Sequence, residues 1–237
     1  MKAILFDLDR TLLDVDPVYK KCYAQMNHLL TEQTGLNLSD EEFNKRFHNA
    51  QKRTRLDSQS WSRILFLQYL VEDLEIPFSS KLVLDLWDIF IECIQTNLKA
   101  SSDIIDFLTE IKKIGLKIAI VSNGTVIFRL IKISNSGLDP YIDAIVSREE
   151  VGVSKPHSYI FYYAMRKLGV SPNECIMVGN SISQDILGAK RLGIRSVLFT
   201  RFKDESALLD KSEYKFVSPD LVTNNFDELL DWIKKMQ

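Results

Sequence analysis

Residues 3–6 read Ala-Ile-Leu-Phe, and the run stops at two carboxylates, Asp7 and Asp9, with Arg10 and Thr11 directly behind them. A short, wholly apolar segment is the pattern of a strand buried on both faces of a parallel sheet. The paired acids fix where that strand must end, because an unpaired carboxylate inside a sheet is costly or neutralises itself. At the carboxyl end of a strand in an open α/β sheet, the same acids face the crevice where ligands sit. Close like charges there call for a cation, and a hard ion such as Mg²⁺ suits oxygen donors. The segment therefore predicts a strand, Ala3–Phe6, that delivers Asp7 and Asp9 to an acidic, metal-ready site.

Hydrophobic spacing divides the remaining chain. Between Asp16 and Lys99 apolar residues recur at helical intervals with hardly a strand-like run. Pro17 opens a first helix that ends at Gly35. Ser39-Asp40-Glu41-Glu42 is a capping box before a second. A third runs over about Ser60–Leu74 through Trp61 and Tyr69, both expected in the bundle core, and a fourth starts near Ser80. From Ser101 onward short strands alternate with helices: strands at Lys117–Val121, Ala144–Val146, Ile176–Val178, Ser196–Phe199 and Lys215–Val217, with helices near Asp103–Ile114, after Lys155-Pro156, near Asp185–Leu192 and at Phe226–Lys235. This alternation predicts an α/β fold, a Rossmann-like parallel sheet core with an inserted all-helical domain. The core comprises residues 1–15 and 100–237, and the helical insertion 16–99.

Bulk composition narrows the function by exclusion. Thirty basic against 32 acidic residues leave a net charge of −2, which gives no reason to expect nucleic-acid or membrane binding. No apolar stretch approaches the roughly 20 residues that span a bilayer. Three cysteines without CxxC spacing read as reduced core thiols, and with no targeting pattern at the start the expected location is cytoplasmic.

Four features follow predicted strands or their loops: Asp7 with Asp9, Ser122-Asn123, Lys155, and Asn180 with Asp185. Strand ends converge in such sheets, so these distant residues can share one crevice. A carboxylate beside Mg²⁺ is a competent nucleophile toward a phosphoryl group, and a second acid can protonate the leaving oxygen and then activate water. A hydroxyl, an amide and a lysine would hold the phosphoryl oxygens. Asp185 also has the simpler reading of a helix N-cap, and Asn180 that of a polar turn residue.

Residues 7–11 (DLDRT), Ser122 after a strand, Lys155-Pro156 and GNSISQD resemble the four ordered motifs of the haloacid dehalogenase superfamily. The helical insertion between the first two is similar to that family's cap. The resemblance implies Mg²⁺-dependent hydrolysis of a small phosphomonoester, whether nucleotide, sugar phosphate or phosphoacid, through an aspartyl-phosphate. It makes Asp7 the nucleophile and Asp9 the general acid/base. Ser122, Asn123 and Lys155 become phosphate ligands, and Asp7, Asp9 (through its main-chain carbonyl), Asn180 and Asp185 the metal set. The family pattern has an acid where Asn180 stands, so one negative charge is missing. Arg10, and Arg53 and Arg55 within a basic stretch of the cap, are candidate contacts for an anionic leaving group; the alternative for the stretch is a solvated face. The competing activity is 2-haloacid dehalogenation with the same aspartate, which Asp9 argues against. A third reading is a catalytically weak binding or regulatory member.

Overall fold

The frame of the core unit is a six-stranded parallel sheet in the order β3-β2-β1-β4-β5-β6. A computed structural model describes residues 1–57, 62–202 and 217–236. Along the chain, β1 (Ala3–Phe6) precedes four helices, α1 (Asp16–Thr34), α2 (Asp40–Asp57), α3 (Arg63–Glu72) and α4 (Ser80–Asn97). Then come α5 (Ser102–Lys113), β2 (Lys117–Ser122), α6 (Val126–Ser136), β3 (Ala144–Ser147), α7 (Ser158–Leu168), β4 (Cys175–Gly179), α8 (Leu187–Lys190), β5 (Arg195–Phe199), β6 (Leu221–Thr223) and α9 (Phe226–Lys234). The chain divides into two compact units, Met1–Asp14 with Lys99–Gln237, and Val15–Leu98.

β1 lies inside the sheet, with Ala3–Phe6 in register with Lys117–Ile120 on one side and Cys175–Val178 on the other. All four of its residues are buried, as a strand covered on both faces requires. Ala3 and Leu5 join the layer under α7, with Ile160, Phe161 and Ala164. Phe6 instead meets Phe107 of α5 edge-on, and Phe107 and Phe199 both pack on Phe226 of α9. The strand order reverses between β1 and β4, the switch point where open α/β sheets bind their ligands.

Every secondary-structure element described in the Val15–Leu98 unit is a helix. α1 starts with Pro17 in its first turn and stops at left-handed Gly35, φ 73°. Ser39 Oγ accepts from the Glu42 amide and Ser79 Oγ from the Leu82 amide, so hydroxyls cap α2 and α4. Phe43, Phe47, Leu82, Leu86 and Phe90 form its buried interior. No described helix is long and apolar enough to cross a membrane.

Three expectations need correction. The sequence reading placed no element between Thr125 and Ala144, where α6 runs for 11 residues. This helix buries Arg129 and Lys132 beside Phe128 and Ile133 while exposing Ile127 and Leu130, so charged and apolar side chains share its inner face. The final strand is Leu221–Thr223; Val217 is not in a strand, and Lys215 lies outside the described residues, as do Ser60 and Trp61. Asp185 does not precede its helix. It sits inside a π-helical turn, Ile182–Ile186, that leads into α8.

Glu174 ties the start of the chain to the turn before β4. Its carboxylate accepts from the Ser171 amide at 2.9 Å and lies 2.6 Å from Lys2 Nζ. Lys2 and the Ser171 contacts lower its carboxyl from 4.5 to about 2. The stability this tie contributes is therefore complete above pH 4.5 and is lost as pH falls toward 2. Denaturant titrations across that window should show a steeper acid-side loss for the wild type than for Glu174→Gln; equal slopes would refute the tie.

Candidate active site

Asp7 is the first residue beyond β1, and its amide donates to Val178 O at 2.9 Å, which fixes its backbone against β4. Its carboxylate meets a lysine from far along the chain. Lys155 Nζ lies 2.6 Å from Asp7 Oδ1 and 2.7 Å from Asp185 Oδ1, and donates to Val121 O at 2.8 Å. Burial alone would lower the Lys155 proton affinity, but Asp185 and Asp7 outweigh it, so the group stays an ammonium. The loop is held by Asn123, whose Oδ1 accepts from the Lys155 amide at 2.7 Å. Its Nδ2 donates to Lys155 O at 3.3 Å and Gln184 Oε1 at 3.2 Å. Ser122 is buried at the tip of β2 and accepts from the Gly124 amide.

On the β4 side, Asn180 is buried one residue past the strand. Asp185 Oδ2 accepts from the Ser181 amide at 3.0 Å, and its buried Oδ1 meets the Lys155 ammonium at 2.7 Å. Burial pushes the Asp185 carboxyl up, against the pull of Lys155 and with help from the Asp7 charge. Asp7, Ser122, Asn123, Lys155, Asn180 and Asp185 thus gather at one end of the sheet.

Asp9 takes a different set of partners, which sequence reasoning missed. Arg129 Nη1 donates to its Oδ2 at 2.7 Å and Lys132 Nζ to its Oδ1 at 2.5 Å. Burial would raise this carboxyl, but the two cations together hold it well below the usual carboxylate range. The available signal was two cations three residues apart, one turn beyond the Ser122–Thr125 loop, in an otherwise apolar stretch.

Arg10 stands in the turn after Asp9 at φ 61°, and its amide donates to Leu13 O. Arg53 and Arg55 belong to the helical unit. Arg53 pairs with Glu72 and Asp73 and lies over the Tyr69 ring at 4.4 Å, so its charge is matched there. Burial and the neighbouring Arg63 charge both lower the Arg55 proton affinity.

Among the described residues, no three His, Cys, Asp or Glu side chains form a metal-ready group. Asp7 and Asp185 offer carboxylate oxygens at one end of the sheet, and Asn180 follows β4 at the same end. A set made only of hard oxygen atoms fits a small divalent cation.

The Asp9 contacts carry a stability consequence. Asp9→Asn leaves two buried cations without their carboxylate, and breaking a buried pair on one side should cost about 3 kcal/mol. Denaturant midpoints should fall accordingly at unchanged slope, and an unshifted midpoint would show that the clamp carries no net stability.

A family model for haloacid dehalogenase-like hydrolases matches residues 1–193. Glyceraldehyde 3-phosphate phosphatase of Methanopyrus kandleri is 28% identical over 100% of this chain and 98% of its own length. The enzyme of that name from Methanocaldococcus jannaschii is 32% identical, with the match spanning 55% of this chain and 54% of the relative. A solved haloacid dehalogenase-type phosphatase from Thermococcus onnurineus superposes with TM-score 0.75 at 28% identity, covering 98% of both chains. The family match takes in Asp7, Ser122, Lys155 and Asp185 alike, and the chain belongs to the haloacid dehalogenase-like hydrolases.

Proposed function

We propose that this protein is a Mg²⁺-dependent phosphatase that hydrolyses a small phosphorylated metabolite, a sugar phosphate foremost, through an aspartyl-phosphate on Asp7. The lysine-held Asp7 carries the reading. Lys155 occupies Oδ1 at 2.6 Å, whereas among the described residues Oδ2 receives a 3.4 Å contact from the Thr11 hydroxyl. Oδ2 is then the oxygen with room to form a bond to phosphorus while the P–O bond to the leaving group breaks. Water next displaces Asp7 and releases phosphate. Asp9 is the group that exchanges the protons: ionised between Arg129 and Lys132, it has to leave those contacts and take a proton from solvent before it can hand one to the leaving oxygen, and it then accepts one from the attacking water. Ser122, Asn123 and Lys155 are the groups that receive the phosphoryl oxygens.

Charge matching supports a dianionic substrate with a divalent metal. Asp7, Asp9 and Asp185 are balanced by Lys155, Arg129 and Lys132. A phosphomonoester dianion and Mg²⁺ together preserve that balance. Asp7, Asp185, the Asn180 amide oxygen and the Asp9 main-chain carbonyl are the donors that would hold the ion. When bound, it supplies positive charge to the phosphoryl oxygens. The resemblance to glyceraldehyde 3-phosphate phosphatases favours small sugar phosphates within this class.

The test is phosphate release over a panel of phosphorylated metabolites, with and without Mg²⁺. Turnover should require the metal, and Asp7→Asn should abolish it with the fold retained. Phosphate release by that variant above about a tenth of wild type would refute covalent catalysis by Asp7. Metal-free halide release from a 2-haloacid, with no phosphate release, would establish the dehalogenase instead. Asn180→Asp adds a charge to the donor set and should lower the Mg²⁺ concentration giving half-maximal rate. An unchanged requirement would remove Asn180 from the metal shell.

A further inference from the structure

Two of the three cysteines meet inside the helical unit. Cys22 on α1 and Cys93 on α4 stand 71 residues apart in sequence, and their Sγ atoms lie 2.6 Å from each other. That is about half an ångström more than a covalent S–S bond, and both thiols are free. The pair is held from several sides. Cys93 Sγ also rests 3.9 Å from Val18 O, one turn before Cys22 on α1. Asn97, one turn after Cys93, donates from Nδ2 to Cys93 O at 2.7 Å and reaches its Sγ at 3.7 Å. Lys21 Nζ donates to Asn97 Oδ1 at 2.6 Å, a second tie between the same stretches of the two helices. The two sulfurs differ in their surroundings. Cys22 is sealed, whereas Cys93 lines a cavity of about 330 Å³ with the polar side chains Gln25, His28, Glu92 and Thr96, so water and a small polar reagent can approach it. Burial and the adjacent Cys93 sulfur push the Cys22 thiol up, which makes Cys22 a poor first nucleophile.

We propose that Cys22 and Cys93 are a redox-active dithiol, oxidised by a small-molecule disulfide that enters through the cavity at Cys93. The Cys93 sulfur attacks one sulfur of the disulfide RSSR. A bond from Cys93 to SR forms, the RS–SR bond breaks, and RS⁻ departs with the Cys93 proton as RSH. The Cys22 sulfur, already in contact, then attacks the Cys93 sulfur. The Cys22–Cys93 bond forms, and the second RS⁻ departs with the Cys22 proton. Two protein thiols have given up two protons and two electrons, and RSSR has become two RSH. The second step is intramolecular with its atoms already touching, which favours closure over a lasting mixed disulfide. The product pins α1 to α4 across 71 residues of sequence, so it restricts the unfolded chain far more than the folded one. Cys175 belongs to β4 in the other unit and serves as an internal control.

The experiment incubates the reduced native protein with hydroxyethyl disulfide until the thiol count is constant, then alkylates it in denaturant and maps the peptides. Alkylatable cysteines should fall from three to one, with the Cys22 and Cys93 peptides joined and Cys175 alkylated. Dithiothreitol should restore all three. The thermal midpoint of the oxidised protein should lie above that of the reduced protein, the sign expected of a bond that forms without displacing α1 or α4. Cys22→Ala should stop at a hydroxyethyl adduct on Cys93, Cys93→Ala should leave Cys22 unmodified, and Cys175→Ala should form the cross-link as the wild type does. Three free thiols after incubation, a hydroxyethyl adduct that persists on wild-type Cys93, a bond that includes Cys175, or a lower midpoint after oxidation would each overturn the inference. An adduct on Cys22 in the Cys93→Ala variant would overturn the entry route. None of these readouts involves phosphate release, so they are decided separately from the phosphatase reading.

Discussion

The Lys155 ammonium between Asp7 and Asp185 is the contact on which the rest of the site depends. Two carboxylates brought this close in a partly dry crevice repel strongly, and neither could stay charged without a cation between them. Lys155 supplies that charge from a loop well separated in sequence. It is held by more than attraction: its side chain donates to Val121 O, and Asn123 clasps its backbone from both sides. The ends of β1, β2 and β4 are thereby locked around one ammonium. Their adjacency in the sheet follows from the strand order, with β1 between β2 and β4.

Much of this frame is legible in the sequence because it is coded locally. An apolar run that stops at Asp7 tells both that β1 is interior and where it ends. Gly35 and Ser79 mark helix limits through conformations and hydrogen bonds that involve only near neighbours. What escaped was coded at a distance. Arg129 and Lys132 become intelligible only beside Asp9, about 120 residues earlier, because nothing near them in the sequence explains two buried cations. Asn123 is similar. Its residue type fits a phosphate loop, yet its side chain is committed to holding Lys155 and Gln184. The π-helical turn around Asp185 also has no local signature; it brings the carboxylate back to the Ser181 amide instead of leaving it as a cap.

Charge counting relates the departure at Asn180 to the cations on α6. With an amide at that position, the three carboxylates Asp7, Asp9 and Asp185 face three ammonium or guanidinium groups. An acid there would leave the side-chain set one charge negative, in a region where every member is at most partly exposed. The protein's own side chains therefore balance one another in this region.

Two glycines make this balance sterically possible, and they do so in the same way. At the end of β4, a Cβ on Gly179 would stand 2.4 Å from the Asp185 carboxyl carbon. Just past β2, one on Gly124 would stand 2.1 Å from the Arg129 guanidinium. Neither position has a left-handed backbone, so conformational freedom is not what calls for glycine; room is. Each bare Cα lets a charged side chain lie directly across the strand tip toward its partner. One lies on the β4 side, where Asp185 meets Lys155. The other lies on the β2 side, where Arg129 meets Asp9. The anion and the cation that flank β1 are thus set by absent methyl groups on the strands beside it, so either glycine changed to alanine would disturb the electrostatics of the crevice before it disturbed the sheet.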